Sequence, residues 1–515
     1  METQHNVTER TTEDVSRVKG FFHRLFVKKD IDGMLRDAEG RQFKRELTVY
    51  HLLFLGIGNV IGTGIYVLSG MVAAQNAGPA VVICFMIASV VASLSALCYS
   101  ELAAMIPVAG SAYSYTYATM GEFVAWLVGW ALVLEYLIGV AAVAVGWSGY
   151  LVQFFHDAFR LDMSPKWTQA FVEWDNASSA FRLTGNYLNI PAIAILTALS
   201  ILLVVGTRES ATVTAVACVV KLLIIMVFIV GAGVDVDVAY LTPFLPPAQP
   251  DYYGHYGVGG ILKGASIVFF CYAGFDSIST ASQEARNPGR DMPIGILGSL
   301  GVCTLIYIAV CIVLVGICPY PLLNVAQPIT TAIAYIGKRW LGVLVGASAV
   351  VGMITAMVMG MMGQSRIFFC MAKDGLLPPM FMRVHSRFQT PHLAQLVVWI
   401  LTSLVAGTLP VDVLGELSGV GTLFAFFLVC LSVMLLRIRR PDIHRPFKVP
   451  FGPYVIPLLG SLSSIGLVFA SSPSTLLRLL VWILIGVSIY FCYGFRNSKS
   501  QAPQPAVHLE QCKPI

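Results

Sequence analysis

Long apolar runs, about twelve in number and joined mostly by short polar connections, dominate this chain of 515 residues. A helix needs roughly 20 apolar residues to cross the hydrocarbon core of a bilayer. The runs fall near residues 48–72, 78–105, 121–154, 190–206, 210–234, 258–283, 294–317, 330–372, 391–408, 411–436, 454–471 and 475–494. With 57% hydrophobic and only 12% charged residues, the composition differs from that of a soluble domain. The sequence therefore predicts an all-α integral membrane protein with about twelve transmembrane helices.

The distribution of lysine and arginine predicts the orientation of these helices. With the N-terminus inside, the inner loops carry twelve of these residues and the outer loops carry seven. Positive residues concentrate on the cytosolic side of membrane proteins, so both tails, 1–47 and 496–515, are expected in the cytosol. The first tail lacks the apolar segment of a signal peptide. We expect a multi-pass protein of the plasma membrane, with the glycosylation acceptor pattern Asn176-Ala177-Ser178 in an outer loop.

Composition and motif searches exclude several other classes of protein. The net charge of +5 follows from the positive inner surface, and no soluble basic domain is present to bind nucleic acid. The eleven cysteines are scattered without a C-x-x-C pair, which argues against a disulfide framework or a metal site. Neither H-E-x-x-H nor G-x-S-x-G occurs. We therefore expect no enzyme activity and no cofactor.

Five glycines in the stretch GIGNVIGTGIYVLSG, residues 56–70, lie in the first apolar run. A dinucleotide-binding loop would need a preceding strand and a later acidic residue, and this context is absent. Gly58 and Gly62 form a small-x-x-x-small pair that allows close helix packing. Alternatively, the helix is interrupted at Gly62-Thr63-Gly64, leaving N–H groups suited to a carboxylate and carbonyls suited to an ammonium. Both interpretations are open at this point.

A second candidate interruption occurs five runs later, in FFCYAGFDSIST, residues 269–280. Gly274 lies in the middle of this run, and the nearby Asp276 would be costly in a bilayer without polar partners. Transporters built from inverted repeats carry broken helices at corresponding places in their two halves. The spacing predicts a five-plus-five repeat, with repeat one at 48–234, repeat two at 258–436 and two extra helices at 454–494.

Four segments in order resemble the cationic amino acid transporter family of the amino acid, polyamine and organocation superfamily. They are GIGNVIGTGIYVLSG, SELAAMIPVAGSAYSY (100–115), FFCYAGFDSISTASQEARNPGRDMPIGI (269–296) and GQSRIFFCMAKDGLLP (363–378). The resemblance implies alternating access and a central amino acid site between broken first and sixth helices. It places the substrate carboxylate at Gly62, Thr63 and Gly64 and the amine at backbone carbonyls. The substrate-binding residues it implies are Val60, Gly62, Thr63, Gly64, Ile65, Phe270, Cys271, Ala273 and Gly274.

Two ionisable residues inside apolar runs resemble those of proton-coupled bacterial members of this family. Lys221, in VACVVKLLIIM (216–226), lies about eleven residues into its run, too deep to reach the interface easily. We predict that it couples transport to protons. Glu135, in GWALVLEYLIGVAAVAVGWSGY (129–150), has four open interpretations: a structural partner for water, a member of a proton relay, an attractor of a basic substrate side chain, or helix packing.

The sequence thus predicts a secondary active transporter that moves amino acids across a membrane with protons. Its partners are the amino acid, protons and the lipid bilayer, and the sequence does not identify a partner subunit. An uncoupled facilitator or exchanger of cationic amino acids, or a receptor that binds amino acids without moving them, would have the same site.

Overall fold

The computed structural model describes residues 24–31, 33–34, 47–62, 64–108, 110–175, 180–205, 211–249, 254–386, 388 and 390–499. Thr63 and the Asn176 pattern lie outside the described residues.

The described part of the chain is mostly helical. Its α-helices are α1 Val49–Val60, α2 Ser69–Val72, α3 Val81–Met105, α4 Ser111–Thr119, α5 Glu122–Phe159, α6 Ile190–Val205, α7 Ala211–Gly233, α8 Gly257–Val268, α9 Pro288–Ile317, α10 Pro328–Tyr335, α11 Arg339–Lys373, α12 His392–Thr408, α13 Val411–Arg439, α14 Val455–Phe469, α15 Pro473–Ile489 and α16 Phe495–Asn497. Short π-helical turns lie at Gly64–Leu68, Ala73–Ala77 and Tyr490–Gly494. Tighter 3₁₀ segments lie at Gly78–Ala80, Pro165–Trp167, Val238–Leu241, Phe269–Tyr272, Asp276–Glu284, Tyr320–Leu323 and Pro379–Met382.

Seven helical stretches in the described residues are long and apolar enough to span a bilayer, and four shorter apolar helices accompany them. The stretch Val49–Met105 covers the first two predicted runs. Helical backbone also covers each of the other ten apolar runs, which confirms the prediction of a helical, multi-pass membrane protein. The count of twelve crossings and the repeat layout stay predictions.

Two local features differ from a simple series of spanning helices. The run 330–372 contains two helices, α10 and α11, separated at Gly337, whose φ of +74° is unfavourable for residues with a side chain. The loop after α5 contains an antiparallel hairpin, β1 Val172–Asp175 and β2 Ala180–Leu183. The rings of Trp174 and Phe181 pair across it, with centroids 4.9 Å apart.

The long helix α5 lies at the centre of the bundle. Its most apolar stretch is 94% buried, the highest value among the seven long stretches. It packs against α11 and α13, while α1 packs against α7 and α9. The middle of the molecule is therefore built where α1, α5, the segment after α8, and α11 approach one another.

Both described ends of the chain meet at one end of this bundle. Lys29 Nζ forms an ion pair with Asp374 Oδ1 at 2.7 Å, immediately after α11. The backbone N–H of Lys499 donates to the carbonyl of the same Asp374, with an N–O distance of 3.1 Å. The two described ends therefore lie at the same end of the bundle, and the assignment of both tails to the cytosol stays a prediction.

Candidate functional site

The first apolar run is interrupted where its glycines cluster. Helix α1 ends at Val60, and Ile61 leaves the helical region with φ −77° and ψ +83°. The N–H of Gly62 turns back to the carbonyl of Val60 at 2.9 Å, and helical backbone begins again at Gly64. The interruption predicted at this place is therefore present in the fold.

At Gly64 the first interruption approaches the second interruption closely. A Cβ atom on Gly64 would lie 2.6–2.7 Å from the Sγ, Cα and Cβ atoms of Cys271, too close for any side chain. The corresponding atoms on Gly58 and Gly62 would make ordinary contacts at 3.7 and 3.5 Å. The small-x-x-x-small pair therefore does not explain Gly58 and Gly62, whereas contact between the two interruptions explains Gly64. Gly56 and Gly70 pack closely against Ser299 and Pro328.

The second interruption follows α8 and its 3₁₀ extension to Tyr272. Ala273 is extended, with φ −57° and ψ +142°, and Gly274 has a φ of +113°. This φ favours glycine because a Cβ atom would be strained there. The chain then continues as the 3₁₀ segment Asp276–Glu284. Non-helical backbone at membrane depth is tolerated where it is buried in protein or lines a cavity.

Two side chains that the sequence did not identify join the interruptions. Asn59 Nδ2 donates to the carbonyl of Gly274 at 3.1 Å and to Ser277 Oγ at 2.7 Å. The hydroxyl of Tyr307, on α9, lies 2.7 Å from the Val60 carbonyl and 2.8 Å from the Cys271 carbonyl. The amide in the middle of an apolar run was a usable signal for Asn59, whereas tyrosines occur widely in apolar helices.

Lys221 reaches the end of α1 from α7. Its side chain is buried, and Nζ donates to the carbonyls of Gly58 at 2.9 Å and Ile61 at 2.6 Å. The last carbonyls of a helix lack intrahelical partners and carry a partial negative charge, so a cation stabilises them. Gly352 makes room for the lysine, since a Cβ atom there would lie 2.7 Å from its Cδ. Snorkelling to an interface is thus excluded, because the amine points at the first interruption.

A cavity of about 60 Å³ lies between the two interruptions, α5 and α11. One ordered water needs about 10–15 Å³, so the cavity has room for a small solute. Its walls are formed by Asn59, Val60, Gly62, Gly64, Glu135, Tyr136, Gly139, Val140, Val143, Phe270, Ala273, Gly274, Ala356 and Gly360. Among the described residues that line the cavity, Glu135 is the one with a carboxyl group.

The predicted site residues divide into two groups around this cavity. Seven of them line it: Val60, Gly62, Gly64, Glu135, Phe270, Ala273 and Gly274. Ile65 and Cys271 are buried behind the lining, and Lys221 contacts the far side of the first interruption. The carbonyls of Val60 and Cys271, predicted to hold an amine, both accept from the Tyr307 hydroxyl here.

Two buried carboxyl groups lie beside the cavity with different surroundings. Asp276 Oδ1 accepts from the Gly274 N–H at 3.1 Å, and its Oδ2 accepts from the Tyr136 hydroxyl at 2.9 Å. Glu135 Oε2 is buried and has no hydrogen-bond partner in the described part of the chain. Helix packing does not explain an unpaired carboxyl oxygen in a cavity wall, because burial without a partner is costly. Within the described ranges, no three of His, Cys, Asp and Glu are grouped as a metal site would require.

Comparisons of the chain with a family model and with individual proteins agree on one family. The model of the amino acid permease family matches residues 47–492. The chain is 38% identical over 477 residues to the branched-chain amino acid permease BcaP of Bacillus subtilis, covering 92% of this chain and 98% of that protein. It is 36% identical over 474 residues to the methylthioribose transporter of the same organism, with the same coverage. It is also 36% identical over 420 residues to the vacuolar cationic amino acid transporter 4 of Arabidopsis thaliana, covering 81% of this chain and 68% of that protein. The chain is an integral membrane protein that belongs to the amino acid permease family.

Proposed function

We propose that this protein is a secondary active transporter that carries amino acids across the plasma membrane together with protons. The main observation that supports this proposal is that two helix interruptions face one cavity of about 60 Å³. We propose twelve transmembrane helices with cytosolic termini, arranged as repeats 48–234 and 258–436 followed by helices in 454–494. The cavity would open alternately to the two sides of the membrane as one repeat moves against the other.

The two interruptions supply opposite poles for an amino acid. N–H groups at the start of the helical backbone after Gly62 and Thr63, at Gly64 and Ile65, would hold the carboxylate. Carbonyls around the second interruption, at Phe270, Cys271 and Ala273, would hold the amine, since the Gly274 carbonyl already accepts from Asn59 and Ser277. Each carbonyl oxygen has two lone pairs, so the Cys271 carbonyl keeps acceptor capacity beside the Tyr307 hydroxyl, whereas the Val60 carbonyl also accepts from the Gly62 N–H.

Proton coupling is proposed to act through Lys221. Protonated, its amine donates to the Gly58 and Ile61 carbonyls and holds the end of α1 in place. Burial disfavours the charged form, so a neutral Lys221 is reached when the proton leaves to one side of the membrane. A ligand shifts a conformational equilibrium only if it binds the two states unequally. The proton acts here as that ligand, because a charged amine binds the two partly negative carbonyls more strongly than a neutral amine does.

The walls of the cavity favour an uncharged aliphatic side chain. Gly139, Val140 and Val143 on α5 face Ala356 and Gly360 on α11, and all are small or apolar. The resemblance to a permease named for branched-chain amino acids agrees with this choice.

One observation favours a second candidate, a cationic side chain. The unpaired Oε2 of Glu135 is the acceptor that such a side chain would need, and relatives named for cationic amino acids are also similar.

Uptake by reconstituted protein tests this proposal. Labelled leucine or arginine is added outside proteoliposomes, with and without an inward proton gradient. Unlabelled putrescine is added as a competitor. We expect gradient-driven accumulation of leucine above that of arginine, and no competition by putrescine, which lacks a carboxylate. Competition by putrescine equal to that by its parent amino acid would contradict the two-pole site. Binding without flux would instead indicate a receptor, and equal flux with and without the gradient an uncoupled facilitator.

A further inference from the structure

Tyr307 is the one described side chain whose single polar atom contacts both helix interruptions. Its hydroxyl oxygen lies 2.7 Å from the carbonyl of Val60, the last residue of α1, and 2.8 Å from the carbonyl of Cys271. Both distances fit an O–H···O hydrogen bond. The two carbonyl oxygens are therefore no further apart than two hydrogen bonds. They belong to residues 211 positions apart in the sequence.

The position of this hydroxyl is fixed by the packing of its ring. Tyr307 is fully buried. Its ring meets the rings of Tyr272 and Phe85 edge to face, with centroids 5.3 and 5.4 Å apart. Aromatic pairs in this geometry are attractive beyond their buried area. The ring cannot turn away without disturbing both neighbours, so the hydroxyl stays between the interruptions.

The hydroxyl carries one proton and faces two acceptors. It can donate fully to one carbonyl at a time, or share its proton between the two. The Val60 carbonyl also accepts from the Gly62 N–H at 2.9 Å. Lys221 holds the Gly58 and Ile61 carbonyls on either side of it. The end of α1 is thus fixed by Lys221 from one helix and by Tyr307 from another, and only Tyr307 also reaches the second interruption.

We propose that Tyr307 is a positioning residue that sets the separation between the carboxylate-binding and amine-binding poles of the site. The inference rests on the proposed function, since it assumes an amino acid bound between the interruptions. Without the hydroxyl, the two interruptions are held by Asn59 and close packing alone. An amino acid would then meet poles at a variable distance, and its affinity would fall. The fixed distance between amine and carboxylate in every α-amino acid is the feature that such a residue recognises.

The test compares Tyr307→Phe with Tyr272→Phe in the full chain. Tyr272 is a matched control because it belongs to the same ring cluster, is fully buried, and donates to the Phe85 carbonyl at 3.0 Å, away from both interruptions. We expect Tyr307→Phe to raise the KM for leucine uptake about tenfold, with the maximal rate changed less than about twofold. A tenfold change corresponds to about 1.4 kcal/mol, which is within the usual contribution of one intramolecular hydrogen bond. Tyr272→Phe should leave the KM within about twofold of the wild-type value.

A second readout separates positioning from general stability. Loss of one buried hydroxyl should lower the melting temperature of both variants by similar amounts, whereas only Tyr307→Phe should weaken leucine binding. The variant Phe85→Leu keeps the hydroxyl but loosens the ring, and it should raise the KM by about two- to threefold. Equal KM values in the wild type and Tyr307→Phe, or equal increases in the two tyrosine variants, would overturn the inference. If wild-type protein binds leucine without moving it, the proposed function fails, and binding affinities of the same variants still decide the role of Tyr307.

Discussion

The two interruptions differ in where their hydrogen-bond partners come from. Carbonyls at the end of α1 are held by Lys221 and Tyr307, which lie 160 or more residues away in the chain. In the second interruption, Gly274 is held largely by its own neighbours. Asp276 Oδ1 accepts from its N–H at 3.1 Å, and Ser277 Oγ donates to its carbonyl at 2.6 Å. Among the described residues, the amide of Asn59 adds a bond to Gly274 from a distant part of the sequence.

This difference assigns different roles to the two interruptions in the proposed cycle. The geometry of the first depends on an amine that can lose its charge, so it responds to the proton. At the second, the bonds to Gly274 come mainly from its own segment and none comes from a cation, so we expect its shape to depend less on the state of Lys221. The first is proposed to move with the proton, and the second to serve as a fixed wall for the substrate.

The strongest test of the comparison is Lys221→Met. Methionine keeps much of the bulk of lysine and removes the donor to both carbonyls of α1. We expect accumulation of leucine against its gradient to be lost entirely, while exchange of internal for external leucine continues. The measurement is uptake into proteoliposomes under an imposed pH difference.

A matched control is available at Lys338→Met. Lys338 donates to the Gly231 carbonyl at 2.7 Å and pairs with Asp235, away from both interruptions. The Lys338→Met variant should accumulate leucine as the wild type does. Accumulation by Lys221→Met at the wild-type level would refute the assignment of the proton to the first interruption.

Gly64→Val should give the next largest effect, because it separates the two interruptions. The new side chain would overlap Cys271, whose atoms lie 2.6–2.7 Å from the Cβ position. Overpacking of this kind costs about 1–3 kcal/mol, and we expect uptake to fall at least about tenfold. The control is Gly58→Ala, whose Cβ would lie 3.7 Å from Cys218. Size-exclusion profiles in detergent check that both variants are folded, and normal uptake by a folded Gly64→Val protein would contradict the close approach.

Asn59→Asp removes the donor that links the first interruption to the second. The substituted carboxylate would place an acceptor against the Gly274 carbonyl, where Nδ2 now donates at 3.1 Å. We expect the KM to rise about fivefold to tenfold, because the new carboxylate oxygen would face the Gly274 carbonyl without a donor between them. A buried polar group without its partner costs about 1–3 kcal/mol. Asn76→Asp is the control, because Asn76 is buried more fully than Asn59 and donates to the Gly254 carbonyl at 2.9 Å, outside the cavity lining. A similar KM increase in both variants would mean that the effect comes from any buried negative charge.

The smallest effect is expected for Ser277→Ala, within the second interruption. The Gly274 carbonyl would lose the Ser277 hydroxyl but keep the amide of Asn59. We therefore expect a KM change of no more than about twofold and an unchanged dependence of uptake on the pH difference. Uptake by this variant is measured at several imposed gradients. A change in the steepness of that dependence would show that the second interruption also responds to the proton, and the comparison would fail.

The sequence predicted those features that leave a local signal. Glycines at 62 and 64 marked the first interruption, Gly274 marked the second, and the depth of Lys221 indicated that it faces the interior. The hairpin after α5 was not predicted, because its strands are four residues each and depend on a cross-strand ring pair.

The partners of the interruptions could not be predicted from the sequence, for a physical reason. Tyr307 and Val60 are 247 residues apart, and Asn59 and Gly274 are 215 apart, so only the packed fold brings them together. The direction of a carbonyl is likewise set by backbone dihedral angles and not by residue type. The resemblance to the family therefore suggested Cys271 as a candidate site residue, but not that its carbonyl would accept from Tyr307.

The hydrogen bonds of Lys221 also determine which step of the proposed cycle would carry charge across the membrane. Both acceptors are neutral carbonyls, and none of the hydrogen-bond partners of Nζ in the described part of the chain is a carboxylate. On the proposed coupling, each proton therefore adds one uncompensated positive charge, and a neutral amino acid adds none. Moving one elementary charge through a potential of 100 mV is worth about 2.3 kcal/mol, which corresponds to roughly 50-fold accumulation. The membrane voltage, inside negative, would then drive uptake even where the pH is equal on both sides.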